Sequence, residues 1–209
     1  MIYSDIHTKS NPNAAIRRRL SVIFAVFLLS VFALVFALYT LENRLVQQEL
    51  AGKVWRFHVV GDDDSADAQA AKMAVTEQML AWLAPRLADC DGREAAVRRI
   101  QEILPQAQEK ARKAAAAHGY ISAARLTSTA FPAKTYGPYT LPAGIYDALE
   151  IRIGRGSGAN WWCILYPGLC FSPDSFSEEM DSLLRELLSE DSYRHITSGR
   201  KLQEVLSSL

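Results

Sequence analysis

Two cysteines, two adjacent tryptophans and a histidine hold most of the chemistry this chain could perform. Cys163 and Cys170 share one short stretch with Asn160, Trp161 and Trp162, directly after three spaced glycines, Gly154, Gly156 and Gly158. A thiolate nucleophile needs a base and usually a third group that orients the base. His58 is a candidate base for Cys163, and Asn160 or an aspartate a candidate third group, an arrangement that would make a cell-envelope thiol hydrolase. A disulfide to Cys170 would silence that thiol. Pro167 and Gly168 suit the central positions of a type II turn between the two cysteines, so the expectation is a Cys163–Cys170 bridge with Cys90 left unpaired.

Other residue clusters point to less chemistry. Asp62, Asp63, Asp64 and Asp67 gather carboxylates, but the glycine and spacing of a calcium loop are absent. An acid-rich helix start explains them without a metal. The glycine triad resembles a phosphate loop only loosely, because such loops open a helix and a tryptophan-rich strand follows here. Trp161, Trp162, Tyr136 and Tyr139 could form an aromatic contact surface, since tryptophan and tyrosine offer large rigid areas at binding hot spots. Neighbouring side chains on a strand face opposite ways, so one tryptophan is expected to pack inward and the other to face outward. No Ser-His-Asp pattern, zinc spacing or acid/base pair stands out. The reading therefore names no catalytic residue, no metal and no cofactor.

The elements that must position these residues follow from patterning. The chain has 209 residues, no net charge and 49% hydrophobic residues, room for one domain plus a membrane segment. Without a basic stripe, nucleic acid is not an expected partner. Residues 20–39 form an uncharged apolar run long enough to span a bilayer, and Arg17, Arg18 and Arg19 precede it. By the positive-inside tendency the N-terminus stays in the cytosol and all that follows is exported, with a retained anchor favoured over a cleaved signal. Export in turn permits disulfides. The expected division is a cytosolic tail (1–19), the anchor or signal (20–39), a linker (40–52), an exported domain (53–173), and a C-terminal amphipathic helix with a polar tail (174–209).

Within the exported domain, alternation predicts a strand from Val54 carrying Trp55, Phe57 and Val59 on one face. Two helical stretches follow, one capped at Asp64 or Ser65 and kinked or ended at Pro85 near Ala84, the other interrupted at Pro105, as two abutting helices or one kinked helix, and closed by Gly119. Strands are then expected at 120–131, 145–153 and 161–166, with a loop of aromatics and turn formers from Pro132 to Gly144 between the first two. The sum is an α+β domain, a mainly antiparallel sheet with two or three helices on one face, preceded by a single transmembrane helix.

Three groups of residues resemble the stage II sporulation protein R family. One runs from Arg56, Phe57, His58, Val59 and Val60 through Asp64, Ser65, Asp67, Gln69 and Lys72. The second comprises Phe131, Pro132, Lys134, Thr135, Tyr136 and Gly137, then Thr140, Leu141, Pro142, Ala143, Gly144, Tyr146, Ala148 and Leu149. Gly154, Gly156, Gly158, Asn160, Trp161, Trp162, Cys163, Pro167, Cys170 and Phe171 complete it. The resemblance implies an exported, non-enzymatic signal of endospore formation, made in the forespore and delivered to the space between the two membranes. There such proteins trigger a membrane-embedded aspartic protease of the mother cell, which removes the pro-sequence of an early mother-cell sigma factor. Asn160, Trp161, Trp162, Tyr136 and Tyr139 are the expected partner-binding residues. The competing readings are the thiol hydrolase and a non-catalytic peptidoglycan-binding domain.

Overall fold

The chain begins with an apolar helix that continues well past the predicted anchor. In the computed structural model, which describes residues 12–168 and 178–207, α1 runs over Pro12–Lys53. Compact units divide at Arg44, with Met1–Arg44 on one side and Leu45–Leu209 on the other. In the first unit the apolar side chains between Leu20 and Tyr39 are exposed. That helix is long and apolar enough to cross a membrane. The expected linker at 40–52 is instead helical throughout. Val46 and Leu50 lie one turn apart on it and are buried in the second unit, so this piece belongs to the folded domain.

The second unit is built on a four-stranded sheet. Its strands are β1 (Trp55–Val60), β2 (Ser122–Phe131), β5 (Gly144–Ile153) and β6 (Asn160–Tyr166), in the order β2-β5-β1-β6. β1 runs parallel to β5 and antiparallel to β6, and β2 is antiparallel to β5. The helices α2 (Ala66–Leu87) and α3 (Arg93–Ala116) fill the connection between β1 and β2. They cover one sheet face with Val75, Met79, Leu83, Ile100 and Ala107 against Phe57, Val59, Leu149, Ile151 and Leu165. Ser65 caps α2 by accepting from the Ala68 N–H at 3.3 Å. α2 ends at Leu87, two residues past Pro85, and α3 runs through Pro105 as one helix, not two abutting ones. Gly119, at φ 80°, follows the end of α3 in a conformation that suits glycine.

The opposite face carries a second layer that the sequence reading did not include. A small hairpin of β3 (Lys134–Tyr136) and β4 (Tyr139–Leu141) replaces the expected loop. With the end of α1 and with α4 (Glu178–Leu187) and α5 (Glu190–Ser207), it packs on Tyr146, Ala148 and Ile164. Tyr193 and Ile196 of α5 are buried there, so the expected polar tail is a packed helix. Phe176, expected on that C-terminal helix, lies outside the described residues. As the central strand between two layers, β1 is buried at all six positions, charged ones included.

Candidate functional site: a sheet face beside two clasped loops

The loop after β1 and the loop after β5 are fastened to each other. Asp62 Oδ1 accepts from the Arg155 N–H at 2.6 Å, and Ala159 N–H donates to Asp64 Oδ1 at 2.6 Å. Ser157 N–H reaches the Asp62 carbonyl and Gly158 N–H the Gly61 carbonyl, each at 3.0 Å. Asp63 takes the Ser65 N–H at 2.9 Å and an Arg155 guanidinium nitrogen at 2.6 Å. Gln69 and Lys72, on the first turns of α2, donate to the Asp63 and Ala159 carbonyls. The hydrogen bond from Arg155 holds the Asp62 carboxyl below its usual value, and that from Ser65 does the same for Asp63.

This clasp accounts for Asp62, Asp63 and Asp64 of the acidic cluster and for Gly154 and Gly158 of the glycine triad. Asp62 and Asp63 share the Arg155 guanidinium while Asp64 takes the Ala159 N–H, so the carboxylates are already engaged by the facing loop, and the described residues hold no His/Cys/Asp/Glu group fit for a metal. Gly154 has φ 55°, and a Cβ there would run into the Asp62 side chain. A Cβ on Gly158 would run into the Asp63 backbone. The glycines let two loops meet, and the anion-cradle resemblance has no helix to support it.

Beside the clasp, strand register decides where the candidate chemistry points. Phe57 pairs with Cys163 and His58 with Trp162. Partners across a ladder share a face and neighbours along it do not, so Cys163 lies on the α2/α3 face and His58 on the other. A direct Cys163–His58 pair is therefore absent, and the thiol hydrolase loses its base. Cys163 is buried, Cys90 is a free thiol, and Cys170 lies outside the described residues. The Tyr166–Pro167 peptide is cis, and residue 169, with which the expected turn would close, lies outside the described residues.

The same register separates the two tryptophans. Trp161 meets Phe57 edge-on beneath the helices, with ring centroids 5.9 Å apart. Trp162 stacks on His58 at 4.9 Å with ring planes 4° apart, and touches Phe131 at 4.6 Å. Both indoles are half-buried, while Asn160 at the strand's start is exposed. Tyr136 is half-buried on the hairpin. Tyr139 lies inside the core, 1% exposed, its hydroxyl donating to Asp181 at 3.0 Å.

Charged groups that the sequence reading passed over organise this face. Glu150, on β5, is buried with its carboxylate 3.2 Å from His58 Nε2, 2.6 Å from Arg125 Nε and 3.4 Å from Arg152 Nε. Burial alone would raise the Glu150 pKa, but the Arg125 hydrogen bond and the nearby positive charges lower it below the usual carboxylate value. Burial lowers His58 below the ordinary imidazole value despite the attraction of Glu150, which leaves it neutral at physiological pH. Arg125 and Arg152 remain about half exposed, so two guanidiniums share one carboxylate and the surface keeps a positive excess.

Deeper on the same face, Arg56 is fully buried. Its Nε donates to the Cys163 carbonyl at 2.9 Å and its Nη2 to the Tyr136 hydroxyl at 2.8 Å. The guanidinium lies 4.3 Å from the Phe131 ring centre and 5.1 Å from that of Tyr146, favourable cation–π geometry. Its Nη1 has no partner among the described residues. Burial lowers the Arg56 pKa and pushes that of Tyr146 up to about 12. Charged residues alternating with apolar ones read as a solvated face, and only the pairing of β1 between β5 and β6 reveals them as buried.

These features define an α+β domain carried behind an apolar helix of membrane-crossing length. The model of the family described as "Stage II sporulation protein R (spore_II_R)" matches residues 51–175, and the chain belongs to that family. The stage II sporulation protein R of Bacillus subtilis (strain 168) is 34% identical over 122 residues, 56% of this chain and 53% of that protein. The chain thus spans about half the length of that curated relative. No solved structure matches it.

Proposed function

We propose that this chain is an exported sporulation signal that activates a membrane-embedded aspartic protease of the mother cell. The outcome would be removal of the pro-sequence from an early mother-cell sigma factor. The observation that carries this reading is the family match, which spans residues 51–175 and so most of the folded unit. The N-terminal helix supports it, because Arg17, Arg18 and Arg19 precede the apolar run, the charge pattern expected of an N-terminus kept in the cytosol. The domain then lies across the forespore membrane, in the intermembrane space, anchored or released after cleavage. The separation of Cys163 from His58 onto opposite faces also favours binding over thiol catalysis.

The partner surface in this reading is the sheet face around exposed Asn160 and half-buried Trp162. Trp161 anchors β6 from behind, and Tyr136 and Tyr139 fix the hairpin at the same face. A Cys163–Cys170 disulfide braces the end of β6, and the free state of Cys90 fits that pairing. Activation requires the domain to bind the active state of the protease more tightly than the inactive one, because equal affinity shifts no equilibrium. Co-expression of the full chain with the protease and its pro-sigma substrate tests the reading. Pro-sequence removal only when the chain is present is expected, and removal at the same rate without it would overturn the proposal.

A further inference from the structure

β2 is an edge strand of ten residues, paired with β5 along its whole length without a register break. Its first half is closed on the outer side. Gln108 of α3 donates to the Ser122 carbonyl at 3.0 Å and accepts from the Ala124 N–H, so one side-chain amide stands in for a neighbouring strand. Backbone groups of alternate residues in an antiparallel strand point to the same side. Leu126, Ser128 and Ala130 therefore turn their N–H and C=O groups outward as Ser122 and Ala124 do, and these meet no partner among the described residues.

Edges left in this state are templates for another strand unless proline, lysine or a bulge blunts them. Residues 126–130 contain none of these. Asp147, opposite Ser128 on β5, is already paired with Arg93 at 3.0 Å, and the cation flanking the open half on β2 itself is Arg125, which shares Glu150 with Arg152 and is about half exposed. β2 contains no aspartate or glutamate, so a second copy pairing through the same strand would bring no carboxylate to Arg125 from that strand. An acidic segment of a different protein supplies the missing charge.

We infer that the open half of β2, residues 126–130, is a strand-addition site for an extended acidic segment of a partner protein, with Arg125 pairing to a carboxylate on that segment. The backbone bonds supply affinity and Arg125 supplies selectivity. The test rests on the activator reading, because its readout is pro-sequence removal in cells carrying the full chain, the protease and the pro-sigma substrate. Ser128→Pro deletes an outward N–H and no bond to β5, so the fold is retained. The variant is expected to accumulate normally and to lose processing by about tenfold or more, and Arg125→Gln to lose it by a similar factor.

Processing with Ser128→Pro within about twofold of wild type would overturn the edge site and leave the activator reading intact. Should Ser128→Pro fail to accumulate, Arg125→Gln decides, and wild-type processing with it overturns the site. No processing even with the wild-type chain overturns the activator reading itself. A full chain that is dimeric in detergent, and monomeric with Ser128→Pro, would assign the edge to a second copy and reject an acidic partner segment.

Discussion

The two faces of the central sheet are built on different physics. Under α2 and α3, Phe57, Val59, Leu149, Ile151 and Leu165 pack into an apolar layer, where shape and area decide stability. On the other face, Arg56, His58 and Glu150 are buried in the same strands, held by aromatic rings, carbonyls and one another. The first face is closed by helices. At its Arg125, Arg152 and Asn160 end, the second is open to solvent. A sheet that is apolar on both sides folds readily but offers a partner little orientation. Charges fixed on one side supply direction at some cost in stability.

The largest stability effect should come from the closed face. Phe57→Ala is expected to cost about 3–5 kcal/mol in urea unfolding, because the ring is fully buried beneath the helices. Glu150→Ala should cost about 2 kcal/mol, less than a fully buried pair because both arginines reach solvent. If Glu150→Ala proved the costlier of the two, the division between the faces would be wrong. Gly154→Ala should follow at about 1–2 kcal/mol, through its positive φ and the approach of Asp62. Adding Asp62→Ala should recover part of that loss, a non-additivity readable in a double-mutant cycle.

The smallest effect is a pH dependence, which between pH 7 and 5 comes from the charged face. His58 has a depressed pKa in the folded state, so its contribution is complete above the unfolded imidazole value of about 6.5 and is lost as pH falls below it. Glu150, Asp62 and Asp181 have depressed carboxylate pKa values, and their contributions disappear at lower pH, below about 4. Unfolding measured between pH 7 and 5 should show a slope in the wild type that His58→Gln removes and Phe57→Leu retains.

How much of this was legible in the sequence differed between the faces as well. Leu149, Ile151 and Ile153 alternate with Glu150 and Arg152, so β5 and its apolar side were readable locally, as were the apolar stripes of α2 and α3. The fate of Glu150 was not, because its burial depends on His58 and Arg125 arriving from two other strands. The adjacent tryptophans announced opposite faces, but which ring faces the helices follows from Val59 pairing with Trp161. That pairing joins residues about a hundred positions apart and leaves no local trace. Signals were also present and passed over. Val46 and Leu50, and Tyr193 and Ile196, sit at helical spacings within segments read as linker and tail. Their polar neighbours masked a narrow apolar stripe.

The central claim is that the closed face holds the fold while the open end of the other face meets the partner. The most direct measurement pairs urea unfolding with pro-sequence removal for one doubly substituted full chain, Asn160→Ala with Arg152→Gln. Stability is expected to stay within about 1 kcal/mol of wild type, because Asn160 is exposed and Arg125 still pairs with Glu150 at 2.6 Å when Arg152 is replaced, while processing falls by about an order of magnitude. Unchanged processing by a chain of unchanged stability would contradict the claim.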